Sequence, residues 1–310
     1  MGELDSQNAE TQRFICYLAL KEAVTTTPEM LCEAITAHFP GIMEMLGRLV
    51  PKGPISEHGQ GFLIEFGGTP LAVLFMSKPL PPDAWQRPVE LDRVWPKAGE
   101  TMAAHGAHAI VSNVDTARSH GEALMLATKV TLAAAALASM LSAQAVVWAA
   151  GETIVEPQRF IAGARGFENK QIPTDLWMGL TWLDGPPTPK GERTFAVLTS
   201  GLLPFVGREI EFMPAALPPV VIAQRLLGAA QYLIVSGPVL TDGDNIGVSD
   251  RDRIRVHLVQ RGQRLGIPVY QFTLELLAET WKPTAEPSSF GAPQNSPPPA
   301  KKPVFGKKIL

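Results

Sequence analysis

Residues with side chains suited to chemistry gather in only a few places in this chain. Glu209 and Glu211 flank Ile210 in the run Glu209-Ile-Glu-Phe-Met213. On a strand that spacing puts both carboxylates on one face, about 7 Å apart, which is compatible with a general acid–base pair. The ordinary alternative is a solvated strand face with Arg208 as a surface ion-pair partner. Asp242 and Asp244, in Thr241-Asp-Gly-Asp-Asn-Ile-Gly247, offer a second pair as ligands for a divalent cation. Read as a calcium loop, Asp242 takes the first position, Asp244 the third and Gly247 the sharp turn at the sixth. Ile246 at the fifth and Arg253 at the twelfth then stand where ligands are needed. A hairpin turn, with Asp, Gly and Asn in left-handed or Asx conformations, accounts for the same residues.

Other constellations are thinner. His105-Gly-Ala-His108 is the one close histidine pair, but a strand would send the two rings to opposite faces. They read as packed or surface histidines rather than metal ligands. Ser200 lacks the preceding glycine of a Gly-x-Ser-x-Gly nucleophile elbow. Phosphate-loop, His-Glu-x-x-His and Cys-x-x-Cys patterns do not occur. Cys16 and Cys32 lie in apolar settings and read as buried free thiols. No cofactor is expected; the metal candidates are Asp242 and Asp244.

The elements that must position these groups read as α+β: a mixed, mainly antiparallel sheet arrangement with a long Ala-rich helix and a second amphipathic helix packed against it. Phe14–Leu20 reads as a strand covered on both faces. Thr27 and Pro28 start a helix to about His38. Gly61–Phe66 and Leu71–Met76 flank a Gly-rich hairpin turn. Pro79–Pro96 reads as irregular, held down by Trp85 and Trp95. Ala107–Asn113 is a strand, and Ser119-His-Gly-Glu122 a capping box for the Ala-rich helix. That helix is long and uncharged enough to raise a membrane span, but its alanines and hydroxyls favour burial in a core. Strands are expected at Ala145–Ala149, Asp175–Leu183, Thr194–Thr199, Glu209–Met213, Pro238–Leu240, Arg253–Val259 and Pro268–Thr273. The second helix opens at Pro218-Pro219, with Val221, Ile222, Leu226, Leu227, Ala230 and Leu233 at helical period.

With 45% hydrophobic and 18% charged residues and a net charge of −3, the body is globular, without a footprint for nucleic acid or an anionic membrane. The polar start lacks the pattern of a secretory signal, so a cytoplasmic protein of bacterial type is the default reading. Residues 1–12 read as a flexible start and 13–281 as one body, in which two fused halves would meet near Arg118. Residues 282–310 read as a disordered Pro-rich tail. Its end places Val304, Phe305, Ile309 and Leu310 among four lysines. Two readings are open for it: a solubilising tail, or a docking peptide anchored by Phe305.

Thr199-x-Gly201-Leu202, Phe205-x-Gly207-Arg-Glu209-Ile-Glu211, Tyr232-Leu-Ile-x-x-Gly237 and Val239-Leu-x-Asp242-Gly-Asp244-x-Ile-Gly247 together resemble the family called domain of unknown function 4261, over about residues 193–260. Asn245 stands where that pattern leads one to expect threonine. The resemblance implies an α+β domain and assigns no activity. The Thr-Gly and Glu-x-Glu elements are also similar in outline to suppressor-of-fused-type domains, which bind proteins and include toxin-immunity members; no residue role transfers from that.

Two functions are therefore expected to compete. One is a non-enzymatic protein-binding or regulatory module, immunity-like, that meets a protein partner through its body and its C-terminal peptide. The other is a carboxylate-based, metal-dependent hydrolase or transferase using Glu209, Glu211, Asp242 and Asp244. The enzyme needs these carboxylates to converge on one pocket. The binding module needs an exposed apolar patch.

Overall fold

The structure is a computed structural model that describes residues 13–55, 60–249 and 252–276. The first half runs β1 (Ile15–Leu20), α1 (Pro28–His38), α2 (Pro40–Leu46), β2 (Leu49–Pro54), β3 (Gly61–Phe66), β4 (Thr69–Met76), α3 (Gln86–Leu91), α4 (Ala98–Ala104), β5 (Ala107–Asn113), α5 (His120–Met140), β6 (Ala145–Trp148) and β7 (Thr153–Val155). The second runs α6 (Pro157–Arg165), α7 (Thr174–Trp177), β8 (Gly179–Gly185), β9 (Thr194–Ser200), α8 (Leu203–Val206), β10 (Glu209–Ala215), α9 (Pro219–Ser236), β11 (Asn245–Ser249), β12 (Asp252–Val259) and β13 (Val269–Leu276).

The strands form two sheets, ordered β2-β3-β4-β5-β1-β6-β7 and β11-β12-β13-β10-β9-β8. Every adjacent pair is antiparallel except β10 with β13. This is an α+β fold with two mostly antiparallel sheets.

Local chemistry explains the helix starts. Thr27 Oγ1 accepts from Met30 N at 3.3 Å, with Pro28 in the first turn of α1. Ser119 Oγ accepts from Glu122 N at 3.3 Å. Glu122 reaches back one residue further than a capping box requires, to Arg118 N at 2.6 Å. The alanines of α5 let its backbone approach its neighbours closely, and fourteen of its residues are buried. A single core joins Cys16, Leu18 and Leu20 of β1 to α5, α9 and the Phe212 and Phe272 face of the second sheet. The opposite face of the first sheet, at Tyr17, Ala19 and Val147, packs against Leu80, Trp85, Trp95 and Met102. Segment 79–96 is thus held down by its tryptophans as the sequence suggests, though it includes the helical turns of α3.

Both α5 and α9 are long and apolar enough to cross a membrane. In α5, 78% of that apolar window is buried inside the fold, against 33% in α9. The first is a core helix; the second leaves apolar surface uncovered.

Two strand expectations are corrected. Residues 174–177 form the turn α7, and the strand begins only at Gly179. The reason is tertiary: Trp177 is fully buried, stacked between Trp148 and Phe205 at centroid distances of 6.0 and 5.3 Å. Pro238–Leu240 is not a strand, whereas Asn245–Ser249 pairs with β12. Residues 1–12 and the tail, including Val304, Phe305, Ile309 and Leu310, lie outside the described residues.

Candidate functional site

Glu209 opens β10 and turns its carboxyl back onto the loop that ends β9. Oε1 accepts from the backbone N–H groups of Gly201, Leu202 and Leu203 at 2.9, 2.9 and 2.8 Å, and Oε2 from the Thr199 hydroxyl at 2.7 Å. Thr199 Oγ1 in turn accepts from Ile210 N at 2.7 Å. These contacts satisfy the donors at the start of α8, which would otherwise be orphaned in an apolar setting. Burial pushes the Glu209 carboxyl up to about 7, while the bonds from Leu203, Thr199, Gly201 and Leu202 pull it down.

Glu211 faces the same side of β10, as its spacing predicts, but reaches a different loop. Its oxygens accept from Gln263 N and Arg264 N, both at 3.1 Å, and from the Gln271 amide at 3.5 Å. Burial at Glu209 (4% exposed) and Glu211 (0%) overturns the solvated strand face. Arg208 serves neither carboxylate; its guanidinium donates to the carbonyls of Val259 and Val269. Each glutamate is a clamp on a loop, closed off from solvent by the N–H groups it binds.

The Asp242 turn lies at the other side of the sheet, with β12 and β13 between it and β10. Asp242 Oδ1 accepts from Leu258 N at 2.9 Å, and Asp244 Oδ2 from Thr241 N at 2.7 Å. Gly243 takes φ +86°, the left-handed conformation that turn needs. Gly243 N and Asp244 O then continue the ladder onto Val256. Among the described residues no three of His, Cys, Asp or Glu gather as a cation site. The structure therefore divides the four candidate carboxylates among three separate backbone segments instead of bringing them to one pocket.

The remaining candidates are likewise built into the scaffold. His105 caps α4: its Nε2 accepts from Leu80 N at 2.6 Å and its Nδ1 contacts Met102 O. That pattern fixes the neutral tautomer with the proton on Nδ1. His108 Nδ1 donates to Lys78 O at 2.8 Å, and burial lowers its pKa. Ser200 Oγ donates to Gly151 O at 2.9 Å. Cys16 and Cys32 are buried free thiols, pushed upward by burial, Cys32 to about 11.

Ser200 belongs to a seam where the two sheets meet. A Cβ on Gly201, at φ +102°, would lie 2.2 Å from Trp177 O; one on Gly179 would lie 2.2 Å from Gly151 O. Beside that seam runs a groove of about 580 Å³. Its walls are Ile154 and Val155 of β7, Leu180 and Trp182 of β8, Phe195 of β9, and Val220, Ala223 and Leu227 of α9. Val220 is 61% exposed, and Trp182 meets Phe195 edge-on at 6.2 Å. Sequence reasoning did not find this groove. Its one local signal is that α9 carries apolar residues outside its buried stripe, at Val220, Val221 and Leu227.

Against this geometry the sequence comparison becomes informative. Residues 198–270 match the family Domain of unknown function (DUF4261). No curated protein and no solved structure matches the chain. The DUF4261 segment opens at the Thr199 loop and closes on β13, so it contains both glutamate clamps and the Asp242 turn. Within it Thr199, Glu209, Glu211 and Asp242 each hold main chain by accepting from backbone N–H groups.

Proposed function

We propose that the protein is a non-enzymatic protein-binding or regulatory module, acting in the cytoplasm through a surface to which the DUF4261 segment contributes α9. The observation that carries this reading is the groove between β7, β8 and α9, where Leu180, Trp182, Phe195 and Leu227 are only partly buried against the core and Val220 stands exposed, so that apolar side chains line a concavity. Exposed apolar surface grouped in this way is characteristic of protein contacts. The carboxylates of the competing hydrolase reading each hold main-chain N–H groups of separate segments, which leaves that reading without an assembled acid–base pair. The C-terminal peptide with Phe305 is a second contact in this proposal.

The test is quantitative affinity capture with three forms: the intact chain, Val220→Arg, and a chain ended after Trp281. A partner held by the intact chain and weakened tenfold or more by Val220→Arg supports the body as the binding surface. A partner lost on truncation supports the tail. Failure of every form to retain a protein, together with Glu209-dependent turnover of an ester, phosphoester or glycoside by the intact chain, sinks the binding reading in favour of the hydrolase.

A further inference from the structure

We infer that the groove binds an extended, uncharged peptide segment of a partner protein, which adds as a strand to the edge of β8 with apolar residues at alternate positions. This rests on the protein-binding reading above and names the occupant of that surface. Two observations choose it. The first is main-chain chemistry: β8 ends the second sheet and β7 ends the first, and among the described residues neither pairs with a strand on its outer side, where α3 packs beside both and leaves the groove between itself and α9. Both contribute to the groove, through Thr153–Val155 and through Gly179, Leu180 and Trp182. Open strand edges call for main-chain donors and acceptors at two-residue spacing. An extended polypeptide supplies them; an acyl chain or a sterol does not.

The second observation is the state of the charges at the rim. Arg159 pairs with Asp175 at 2.7 Å, and Arg87, just outside, pairs with Glu152 at 2.7 Å. Asp92 accepts from Val94 N and Trp95 N, and Arg93 donates to the carbonyls of Glu90 and Asp92. Asp92, Glu152 and Asp175 on the lining stand against Arg93, Arg159 and the neighbouring Arg87, so the rim carries balanced charge and no excess of one sign to select an ionic guest. What remains for recognition is apolar. Leu180 and Trp182 project to one face of β8, where Phe195, Val220 and Leu227 complete the wall. Gly179 is closed off at the seam, so a guest strand would match β8 from Leu180 to Gly185, roughly 20 Å at strand rise, and place every second side chain against that wall.

The experiment selects from a phage-displayed library of random nonapeptides on the intact chain, with counter-selection on Val220→Arg. Val220 is exposed, and an unchanged melting temperature of the variant shows that its fold is kept. The expected winners are uncharged, apolar at alternate positions, and slow amide exchange across residues 180–185 when bound. N-methylation of their ladder-forming amides weakens them tenfold or more. Winners with apolar residues at helical spacing, or winners indifferent to N-methylation, overturn the strand mode. A dimer in sedimentation equilibrium that dissociates on Val220→Arg overturns it in favour of a second copy as occupant. A lysate partner captured equally by Val220→Arg overturns the groove while the protein-binding reading survives. Absence of any selected peptide also overturns the inference.

Discussion

The two sheets follow one chain path and finish it differently. β1, α1 and the meander β2–β4 form a strand–helix–meander unit; β10, α9 and the meander β11–β13 form another. In each, the last strand runs parallel to the first: β13 lies directly beside β10, whereas β5 stands between β4 and β1. The first sheet is covered on both faces, and its long neighbour α5 buries fourteen residues, most of them aliphatic. The second sheet relies on α9, which buries six. Its β10 places two glutamates on the face opposite its core, and loops close over them.

The family match falls on the second of these sheets. An apolar interior can be filled by many combinations of Ala, Val and Leu, and it leaves no fixed motif. A loop held by main-chain bonds to one buried side chain needs an acceptor, a hydroxyl and a glycine at fixed places. The matched segment, 198–270, contains both glutamate clamps.

The comparison is broken most severely at the seam. Gly201→Ala puts a Cβ 2.2 Å from Trp177 O at a φ of +102°, and we expect a loss of about 4 kcal/mol or more, read as a collapse of the soluble folded fraction. Glu209→Ala comes next. It leaves three N–H groups and the Thr199 hydroxyl without their acceptor, for about 3 kcal/mol in chemical denaturation. Glu209→Gln keeps an oxygen for the three N–H groups and gives Thr199 an N–H donor, so it should stay within about 1 kcal/mol of the parent at pH 5. A Gln variant as unstable as the Ala variant would show that the charge, and not the acceptor, holds the loop.

The same pair of variants reads the pH dependence. Burial raises the folded pKa of Glu209 from 4.5 to about 7. The folded state then binds the proton more tightly than the unfolded chain, and the associated stability is complete below about 4.5 and lost as pH rises through about 7. Relative to Glu209→Gln, the parent should lose up to ~3 kcal/mol between pH 4.5 and 8. A flat difference across that range would mean that the four hydrogen bonds outweigh desolvation.

Legibility in the sequence follows the same division between local and distant causes. Thr27-Pro28, Ser119 and the Gly67-Gly68 hairpin announced their elements because their signals act within a turn. The start of α7 was hidden because Trp177 answers to an aromatic stack that includes Trp148 and Phe205, distant in the chain. β11 was hidden because Asn245-Ile-Gly-Val-Ser249 has little alternation and pairs on one side alone. For the candidate site, the shared face of Glu209 and Glu211 was legible from spacing. Their burial was not, because Glu-x-Glu reads alike whether water or a folded-back loop meets the carboxylates. The groove depends on how α9 sits against β8, which no short motif encodes.

A smaller effect tests the first sheet. Lys129 is 3% exposed on α5 and donates to Thr69 Oγ1 at 2.8 Å and Gly67 O at 3.3 Å, with burial lowering its pKa. It resembles the glutamate clamps in holding a turn, but it holds a hairpin whose strands are already paired along their length. Lys129→Met fills a similar volume and removes the cost of burying a charge, so the loss should stay below about 1.5 kcal/mol. The parent, whose folded lysine binds its proton less tightly than the unfolded chain, should gain stability relative to Met as pH rises toward the unfolded lysine's range. Thermal melts of both proteins between pH 7 and 10 provide the check. A loss as large as that of Glu209→Ala would put a polar clamp of equal weight in each sheet and remove the difference between them.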